Sequence, residues 1–479
     1  MGKTGIIIDV RTNFTSRHGL RHAPEERPAG RLASFSVELA GASPLDLLRA
    51  SRGARGFWSH GERWVAHAGI VATVGAEPDP ERFKQVRHAA AVAGGDAGPS
   101  WPEGGDPRLI RRPRFFGGFS FRDVPGASRL WRGFPSALFH LPAVELDGDA
   151  KGVAHLHVRA LGRVGESDEA LYARLEARAF ELAARLSVLH GRTDGPTPSA
   201  RSELHANESD REAWDAAVEH SLRAIHDGAV RKVVLARTLD VPDPHLDPLD
   251  VLGHLWADNR DSYVFYFEPQ RGCVLIGAAP ETIATVRSGV FHATAVAGTV
   301  RRGASDEERE ALALQLLASA KDREEHQILV EDVVQRLEHV ATGVRAEENP
   351  HVLVLPAVQH LETKIRARLV DDTTVLDALS ILHPTPSVCG EPRGAALELL
   401  AHEEPFERGW YAGPVGWFDL EGNGMFSPAL RSAVLSERGW RLFAGAGIVA
   451  GSSPEAEWLE AGIKLGPVLR ALHAAAAAT

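Results

Sequence analysis

Short apolar segments separated by turn-forming residues dominate the first two hundred positions of the chain. Strands are predicted over 57–74, 115–121 and 154–158. One long helix is predicted over 168–190, where apolar residues recur at helical spacing. Gly and Pro are dense over 94–113, which predicts a surface loop. The polar, Pro-containing segment 191–207 is the best candidate boundary between two halves, and we place that boundary near residue 205.

Beyond this boundary the pattern of elements becomes clearer. Ser209 and Glu212 have the spacing of a capping box, apolar residues follow at helical spacing, and Gly228 supplies a stop, so a helix is predicted between them. The run Lys232–Arg237 is short, β-branched and flanked by Gly and Pro, which favours a buried strand. The lysine at its head would then enter the interior of a sheet.

A second helical region is predicted from a second capping box. Ser305 and Glu308 open a pattern that continues, with one break near Ser319, to about Val340. Further strands are predicted over 274–276, 415–418 and 442–444. No internal repeat is visible, which excludes solenoids and propellers.

Composition and charge narrow the functional classes. The 479 residues would make about three average domains, although one large α+β enzyme is equally permitted. The 53 basic and 64 acidic residues give a net charge of −11 without a concentrated basic block, so nucleic acid is not an expected partner. No apolar run approaches the ~20 residues of a membrane span and no signal peptide is recognisable, so membrane partners are not expected either. Cys273 and Cys389 fit neither a disulfide framework nor a metal motif, and a cytoplasmic location is expected.

Carboxylates at helical spacing are the first candidate chemistry. Glu325 lies on the apolar face of one predicted helix, and Glu457 and Glu460 share a face of another. Mg²⁺ prefers oxygen ligands and often uses only one or two carboxylates, so Glu325 with Glu460 would suffice. Glutamates on amphipathic helices are more commonly solvated surface residues, and spacing alone leaves both interpretations open.

Three other features carry weaker signals. A lysine at the head of an apolar strand can be a general base, because desolvation disfavours the ammonium form, or it can protect a sheet edge. The glycine-rich segment 444–447 follows a strand and precedes a helix capped by Ser452 and Ser453, and its amides could hold a carboxylate. His155 and His157 alternate on a strand, but with no third ligand nearby ordinary packing is favoured over zinc binding.

Ordered sequence blocks in the second half resemble the chorismate-utilising enzymes, and within them the isochorismate synthases. The blocks are APET at 279–282, AGT at 297–299, KDREEH at 321–326, HPTPSVCG at 383–390, ERGWYAGPVGW at 407–417, LRSA at 430–433, AGAGIV at 444–449 and SSPEAEWLEAGIKL at 452–465. The resemblance implies a single large α+β domain with two stacked antiparallel sheets and flanking helices, as in the large component of anthranilate synthase. Residues 1–205 would form its loosely matching N-terminal part, and 206–479 the chorismate-binding catalytic region.

Two positions discriminate among the reactions of this family. Aminodeoxychorismate synthases carry a nucleophilic lysine where this chain has Ala297, which disfavours that chemistry. Anthranilate synthases usually carry Gln at the position of Lys232, which here matches the water-activating lysine of isochorismate and salicylate synthases. The blocks resemble menaquinone-pathway members more than siderophore ones. The alternatives are a siderophore-pathway enzyme, a salicylate synthase, an anthranilate-type enzyme that needs ammonia, and a non-catalytic chorismate-binding protein.

The resemblance implies a division of roles among site residues. Lys232 would take a proton from water attacking C2 of chorismate, and Glu281 would protonate the departing C4 hydroxyl. Mg²⁺ would be held by Glu325 and Glu460, with Glu457 as a further ligand directly or through water. The substrate-binding residues would be Gly298, Thr299, Tyr411, Arg431, Gly445, Gly447 and Lys464. No glutaminase subunit is expected, and a monomer is favoured.

Two further residues, His383 and Met425, have no assigned catalytic role. His383 either orients the substrate or is a buried structural histidine, and it is left out of the catalytic set. Met425 occupies a position where relatives often have an acidic residue, which puts catalytic efficiency rather than reaction type in question.

Overall fold

The computed structural model describes residues 5–9, 31–94, 112–124, 126, 128–149, 152–190, 207–208, 210–242 and 246–478. These residues form one domain of two antiparallel sheets with helices around them, as the family resemblance implied. Most of the predicted loop at 94–113 and of the boundary segment at 191–207 lies outside the described residues.

Twenty-three strands are present among the described residues. They are β1 (Gly5–Asp9), β2 (Arg31–Ala40), β3 (Arg55–His60), β4 (Arg63–Ala68), β5 (Ala72–Ala76), β6 (Arg114–Phe119), β7 (Ala137–Leu141), β8 (Val144–Gly148), β9 (Val153–Leu161), β10 (Asn207–Glu208), β11 (Lys232–Val241), β12 (Tyr263–Gln270), β13 (Cys273–Ala279), β14 (Ala284–Arg287), β15 (Val290–Arg301), β16 (Ala341–Ala346), β17 (His351–Val354), β18 (Val358–Leu369), β19 (Gly390–Glu391), β20 (Pro414–Asp419), β21 (Gly424–Pro428), β22 (Ser432–Ser436) and β23 (Gly439–Ile448).

Each sheet combines strands from before and after residue 205. The larger sheet has the order β1-β2-β9-β8-β4-β3-β12-β13-β22-β23-β11-β10, with β19 also paired to β11. The smaller has the order β16-β18-β15-β14-β21-β20-β6-β7-β5, with β17 also paired to β18. The joins between the two parts of the chain are the antiparallel pairs β3–β12 and β6–β20, so strands from both parts complete both sheets.

Ten α-helices are present in the described part of the chain. They are α1 (Pro44–Ala50), α2 (Arg82–Gly94), α3 (Asp168–His190), α4 (Arg211–His226), α5 (Pro248–Asp258), α6 (Asp306–Ala318), α7 (Ala320–Leu337), α8 (Val375–Leu382), α9 (Arg393–Glu403) and α10 (Pro454–Ala478). The long helix predicted over 168–190 is confirmed as α3. None of these helices is long and apolar enough to span a membrane.

The predicted helix boundaries differ from the structure at the N-cap of α4 and at the C-terminal end of α7. Ser209 was predicted to cap α4 but lies outside the described residues, and the N-cap is Asp210, whose side chain accepts hydrogen bonds from two backbone amides of the first turn. Ser305 caps α6 as predicted. The break predicted near Ser319 is confirmed, because the Ser319 side chain caps a separate helix, α7. That helix ends at Leu337, a few residues before the predicted end.

Two helices bring carboxylates toward the strands that carry the other candidate residues. Helix α7 packs on β15 and buries Ile328, Leu329 and Val333, which leaves Glu325 at the edge of that apolar face. Helix α10 packs on β23, the neighbour of β11. Strand β11 is covered on both faces, which explains its continuous apolar sequence. The packing of these elements therefore creates one place where both helices and both sheets meet.

Candidate active site

A cavity lies where β11, β23, β15, α7 and α10 converge. It holds about 670 Å³ of space not filled by protein, counting its mouth, which is in the range of small-molecule sites. Its lining includes ten of the residues singled out from the sequence: Lys232, Glu281, Gly298, Thr299, Glu325, Tyr411, Arg431, Gly445, Gly447 and Lys464. All lining residues lie between positions 232 and 464, in the part predicted to be catalytic.

Lys232 and Glu325 form a buried ion pair in the cavity wall. The Lys232 side chain is 1% exposed, and its Nζ lies 2.9 Å from Glu325 Oε1. Lys232 is therefore not a lysine that protects a sheet edge. Burial opposes ionisation of Glu325, but Lys232 and then Lys464 outweigh it and the pKa of Glu325 is lowered. Gly447 makes this pair possible, because a Cβ at that position would lie 2.1 Å from Glu325 Oε1.

Glu281 has the opposite electrostatic environment. It follows β13, is 4% exposed, and its Oε1 accepts a hydrogen bond from the Ser387 hydroxyl at 2.8 Å. Burial raises the pKa of Glu281 to about 7, although Ser387 and Lys232 act in the opposite direction. A carboxyl with this pKa carries a proton on a large fraction of molecules near neutral pH, which is what a general acid requires.

Arg431 is held over the cavity by a neutral histidine. The His360 Nδ1 lies 3.1 Å from the Gly298 carbonyl oxygen, which can only accept, so Nδ1 carries the proton. The Nε2 atom is then free to accept from Arg431 Nη2 at 2.5 Å. Burial and the Arg431 charge keep the pKa of His360 well below its ordinary value. Arg431 also adopts a left-handed φ of 46°, a strained conformation typical of functional sites.

The glycines of the AGAGIV block present peptide groups on one side of β23. Lys464 Nζ donates to the Gly445 carbonyl at 3.0 Å, so the N–H and C=O of Gly445 face away from β11. Gly447, two residues further, faces the same way. The neighbouring strand β22 ends opposite Phe443, which leaves this edge open toward the cavity. The Tyr411 hydroxyl approaches the same edge, 3.1 Å from where a Cβ on Gly445 would lie.

The carboxylates considered as metal ligands are each paired with a lysine. Glu457 contacts Lys321 at 2.5 Å and Glu460 contacts Lys464 at 2.7 Å, and neither glutamate lines the cavity. Burial and the nearby Glu460 charge raise the pKa of Glu457, so a cation beside these carboxylates would stabilise their ionised forms. The donor set of oxygens suits Mg²⁺. Within the described residues the ligand atoms of Glu325, Glu457 and Glu460 do not all lie within 4.8 Å of one another, so joint ligation would require these side chains to move.

Two polar residues of the cavity wall, His360 and Ser387, were not identified from the sequence. His360 lies on β18, where a buried strand contains several polar residues, and that unusual pattern was the available signal. Ser387 lies within the HPTPSVCG block, but nothing in the block distinguishes it from its neighbours. His360 forms hydrogen bonds with Gly298 and Arg431, and Ser387 forms one with Glu281. Each therefore links segments that are distant in sequence.

His383 and His157, which were not assigned catalytic or metal-binding roles, contact other protein groups outside the cavity lining. His383 is buried and its Nε2 lies 3.0 Å from the Phe121 carbonyl oxygen, outside the cavity lining. His157 lies between Ser36 and Asp147, at 2.6 Å and 2.9 Å. Met425 lies on β21 and is not part of the cavity wall.

Comparisons of sequence and of structure with known proteins point to the same family. The model of a family described as chorismate binding enzymes matches residues 18–473. The chain is 38% identical over 367 residues to the salicylate biosynthesis isochorismate synthase of Pseudomonas aeruginosa, over 76% of this chain and 75% of that relative. It is 32% identical over 477 residues to isochorismate synthase MenF of Bacillus subtilis, over 98% of this chain and 99% of that one. The solved structure of MenF, the menaquinone-specific isochorismate synthase from Escherichia coli, matches with a TM-score of 0.74 and 26% identity, over 94% of this chain and 96% of that chain.

Proposed function

The chain belongs to the family of chorismate binding enzymes, and from this premise we infer that it is an isochorismate synthase. The reaction adds water to C2 of chorismate and releases the C4 hydroxyl as water, so substrate and product have the same composition. The observation that carries the proposal is that one cavity contains a buried lysine and a buried, protonatable carboxyl, Lys232 and Glu281.

In the proposed mechanism two proton transfers accompany one displacement. Lys232 first gives up the proton that it carries in its ion pair with Glu325. Its neutral amine then takes a proton from the water molecule that attacks C2, and the Glu281 carboxyl gives its proton to the hydroxyl leaving C4. As the new C–O bond forms at C2, the ring double bond shifts and the C4–O bond breaks. After turnover Lys232 holds the extra proton and Glu281 is ionised, and exchange of these protons with solvent restores the starting state.

The substrate's two carboxylates require local positive charge in a protein of net charge −11. Arg431, with its planar fork of donors, suits one of them, and the open peptide edge at Gly445 and Gly447 together with Tyr411 supports the same group. Gly298, at φ 71°, and Thr299 form a bulge in β15 that approaches the other end of the cavity. Lys464 adds a second cation at the cavity wall.

We assign Mg²⁺ to Glu325 and Glu460, with Glu457 as a further ligand. The cation would neutralise the ring carboxylate of the substrate and so lower the cost of bringing it beside acidic side chains. Lys232, Lys321 and Lys464 neutralise these glutamates in the structure, so they are the groups that would give way to it.

We also propose that the enzyme supplies menaquinone biosynthesis in the cytoplasm and works as a monomer without a glutaminase subunit. The near-complete coverage of MenF from Bacillus subtilis supports the pathway assignment. The retention of a lysine at 232 supports water, rather than ammonia, as the nucleophile.

Product analysis tests this function. Purified protein is incubated with chorismate and Mg²⁺, with and without EDTA or ammonium. The products are separated by chromatography and identified by mass spectrometry. We expect isochorismate that disappears with EDTA. Salicylate with pyruvate would instead identify a salicylate synthase, anthranilate formed only with ammonium would identify an anthranilate-type enzyme, and absence of turnover would leave a binding protein.

The role of Lys232 has its own test. We expect Lys232→Ala to lose isochorismate formation by about 10²–10⁴-fold, because the general base is absent. Chorismate binding, measured by calorimetry, should remain within a few-fold of the wild type, since Arg431 and the Gly445 edge are intact. Substantial residual turnover would contradict the assignment of Lys232 as the base.

A further inference from the structure

Two histidines and a glutamate converge outside the active-site cavity, where α4 meets the end of α9. His220 Nδ1 lies 2.5 Å from Glu403 Oε1, and His402 Nδ1 lies 2.8 Å from the same oxygen. The two imidazole rings are close to perpendicular, with centroids 5.8 Å apart. Among the described residues, this is the only group of three or more potential ligands whose atoms all lie within 4.8 Å of one another.

From this convergence we propose that His220, His402 and Glu403 form a binding site for Zn²⁺ or a chemically similar transition-metal ion. Both Nδ1 atoms approach the same carboxylate oxygen of Glu403, so one metal ion placed between these three atoms could contact all of them. Each Nδ1 lies at hydrogen-bond distance from the Glu403 carboxylate and can donate to it. With a metal ion bound, each Nδ1 would be unprotonated and each ring would keep its proton on Nε2, so the ligands would be two neutral imidazoles and one carboxylate.

The distances require only a small adjustment. Zinc binds nitrogen and oxygen ligands at about 2.0–2.2 Å, which places tetrahedral ligand atoms about 3.3 Å apart. The two N···O distances must therefore open by less than about 1 Å. Both rings can make this movement, because the side chains of His220 and His402 are 44% and 79% exposed. The same exposure leaves the fourth position open to water.

Glu403 is the most rigidly held of the three proposed ligands. Glu403 is only 10% exposed and is the last residue of α9. The next residue, Glu404, accepts hydrogen bonds from the Ala236 amide of β11 and from Arg408, and so ties this end of the helix to the sheet. A ligand on an anchored backbone loses little freedom when it binds a metal.

The nitrogen ligands determine which metals fit. Imidazole suits Zn²⁺, Ni²⁺ and Cu²⁺, whereas Mg²⁺ requires oxygen ligands. The proposed site is therefore chemically distinct from the cluster of Glu325, Glu457 and Glu460, and excess Mg²⁺ should not compete for it. By contrast, His155 and His157 do not form such a site, because both nitrogens of His157 already have partners in Ser36 and Asp147.

Zinc binding is measured directly, so the test does not depend on catalytic activity. Full-length, metal-free protein is dialysed against zinc chloride in buffer with excess MgCl₂, and bound zinc is quantified. We expect His402→Ala and Glu403→Gln each to weaken the binding of one zinc equivalent by tenfold or more, as is typical when metal-site residues are removed. His339→Ala, which removes an exposed histidine at the end of α7, is the matched control and should leave zinc binding unchanged.

Circular dichroism of each variant verifies that it is folded, which the exposure of His402 favours. Equal zinc binding by wild type and His402→Ala would overturn the proposal. Equal loss in the His339→Ala control would overturn it as well, because binding would then be spread over surface histidines.

Discussion

Two buried glutamates, one in each part of the chain, have opposite electrostatic environments. Glu145 on β8 is 0% exposed and Glu281 after β13 is 4% exposed, so their burial is nearly the same. Burial favours the neutral form of both, yet two arginines hold the pKa of Glu145 at about 2, whereas that of Glu281 is raised to about 7. The difference lies in their neighbours.

Glu145 is surrounded by cations that contact it directly. Arg114 Nε donates to its Oε1 at 3.0 Å, and Arg159 Nη1 donates to its Oε2 at 3.0 Å. Glu281 accepts a hydrogen bond from the Ser387 hydroxyl, and the charges of Lys232, Lys464 and Arg431 act on it electrostatically. It also lines a cavity, which Glu145 does not. Burial of a carboxyl group is therefore not by itself a sign of function. A buried carboxyl that lacks a direct cationic partner and lines a cavity is the more informative observation.

The largest expected difference concerns turnover. Glu281→Gln should lower kcat by about 10²–10⁴-fold, because glutamine cannot donate the proton that the leaving hydroxyl needs. Glu145→Gln should leave kcat per folded molecule unchanged. Initial rates of isochorismate formation, normalised to folded protein, measure both. If the two variants lost turnover equally, the contrast between catalytic and structural glutamates would be wrong.

Stability should separate the two residues in the opposite direction. Glu145→Gln should lower the free energy of unfolding by about 3–5 kcal/mol, because it leaves Arg114 and Arg159 buried without their counter-charge. Glu281→Gln should not destabilise the protein at pH 8 and should stabilise it by up to about 3 kcal/mol, since an ionised carboxylate is no longer buried. Urea denaturation measures both values.

The pH dependence of stability follows from the two pKa shifts. Since the folded-state pKa of Glu281 lies above its ordinary value of 4.5, its contribution is fully present below pH 4.5 and is lost as the pH rises through about 7. The folded-state pKa of Glu145 lies below 4.5. Its contribution to the free energy of unfolding is therefore present above pH 4.5 and is lost as the pH falls toward 2. A wild-type stability profile that Glu281→Gln leaves unchanged between pH 5 and 8 would contradict the first statement.

A methyl group at position 447 should disturb the ion pair in the cavity wall. In Gly447→Ala the Cβ would lie 2.1 Å from Glu325 Oε1 and 3.0 Å from Lys232 Cε, so both side chains must move. We expect a loss of about 10²-fold in kcat/KM, typical of a catalytic group displaced by about 1 Å. Gly394→Ala is the matched control, because a Cβ there meets nothing within 4 Å. Comparable losses in both variants would mean that the effect does not come from the pair.

The smallest expected effect concerns the hydroxyl that contacts Glu281. Ser387→Ala removes a hydrogen bond that favours the ionised carboxylate, so the pKa of Glu281 should rise further. The alkaline limb of the kcat/KM profile, where Glu281 loses its proton, should move to higher pH by about one unit. A shift to lower pH would show that Ser387 instead stabilises the protonated form.

Local sequence patterns predicted several of the elements, whereas the family resemblance supplied most of the cavity residues. The β-branched run at Lys232 and the break at Ser319 rest on neighbouring residues alone, and both are confirmed. The cavity contains ten of the proposed residues, of which nine belong to the ordered blocks and the tenth is Lys232. Glu460 contacts Lys464, four residues along the same helix, whereas Glu457 contacts Lys321 of α7, a pairing that depends on how the two helices are placed.

Contacts between distant segments could not be predicted in the same way. His360 and Ser387 gain their roles from partners about 60 to 106 positions away, and such pairings follow from sheet order rather than local pattern. The same holds for Glu145, whose position on an ordinary strand gives no hint of two arginine partners. A sequence shows which side chains are available, and the fold determines which of them are left incompletely paired.

The protonation state of Glu281 tests the central claim most directly. The carboxylic C=O stretching band is followed by infrared difference spectroscopy from pH 5 to 9, and the spectrum of Glu281→Gln is subtracted from that of the wild type. A band that disappears with a midpoint near pH 7 is the expected result. A difference spectrum without such a band, or one with a midpoint near the ordinary 4.5, would contradict the assignment of Glu281 as the general acid.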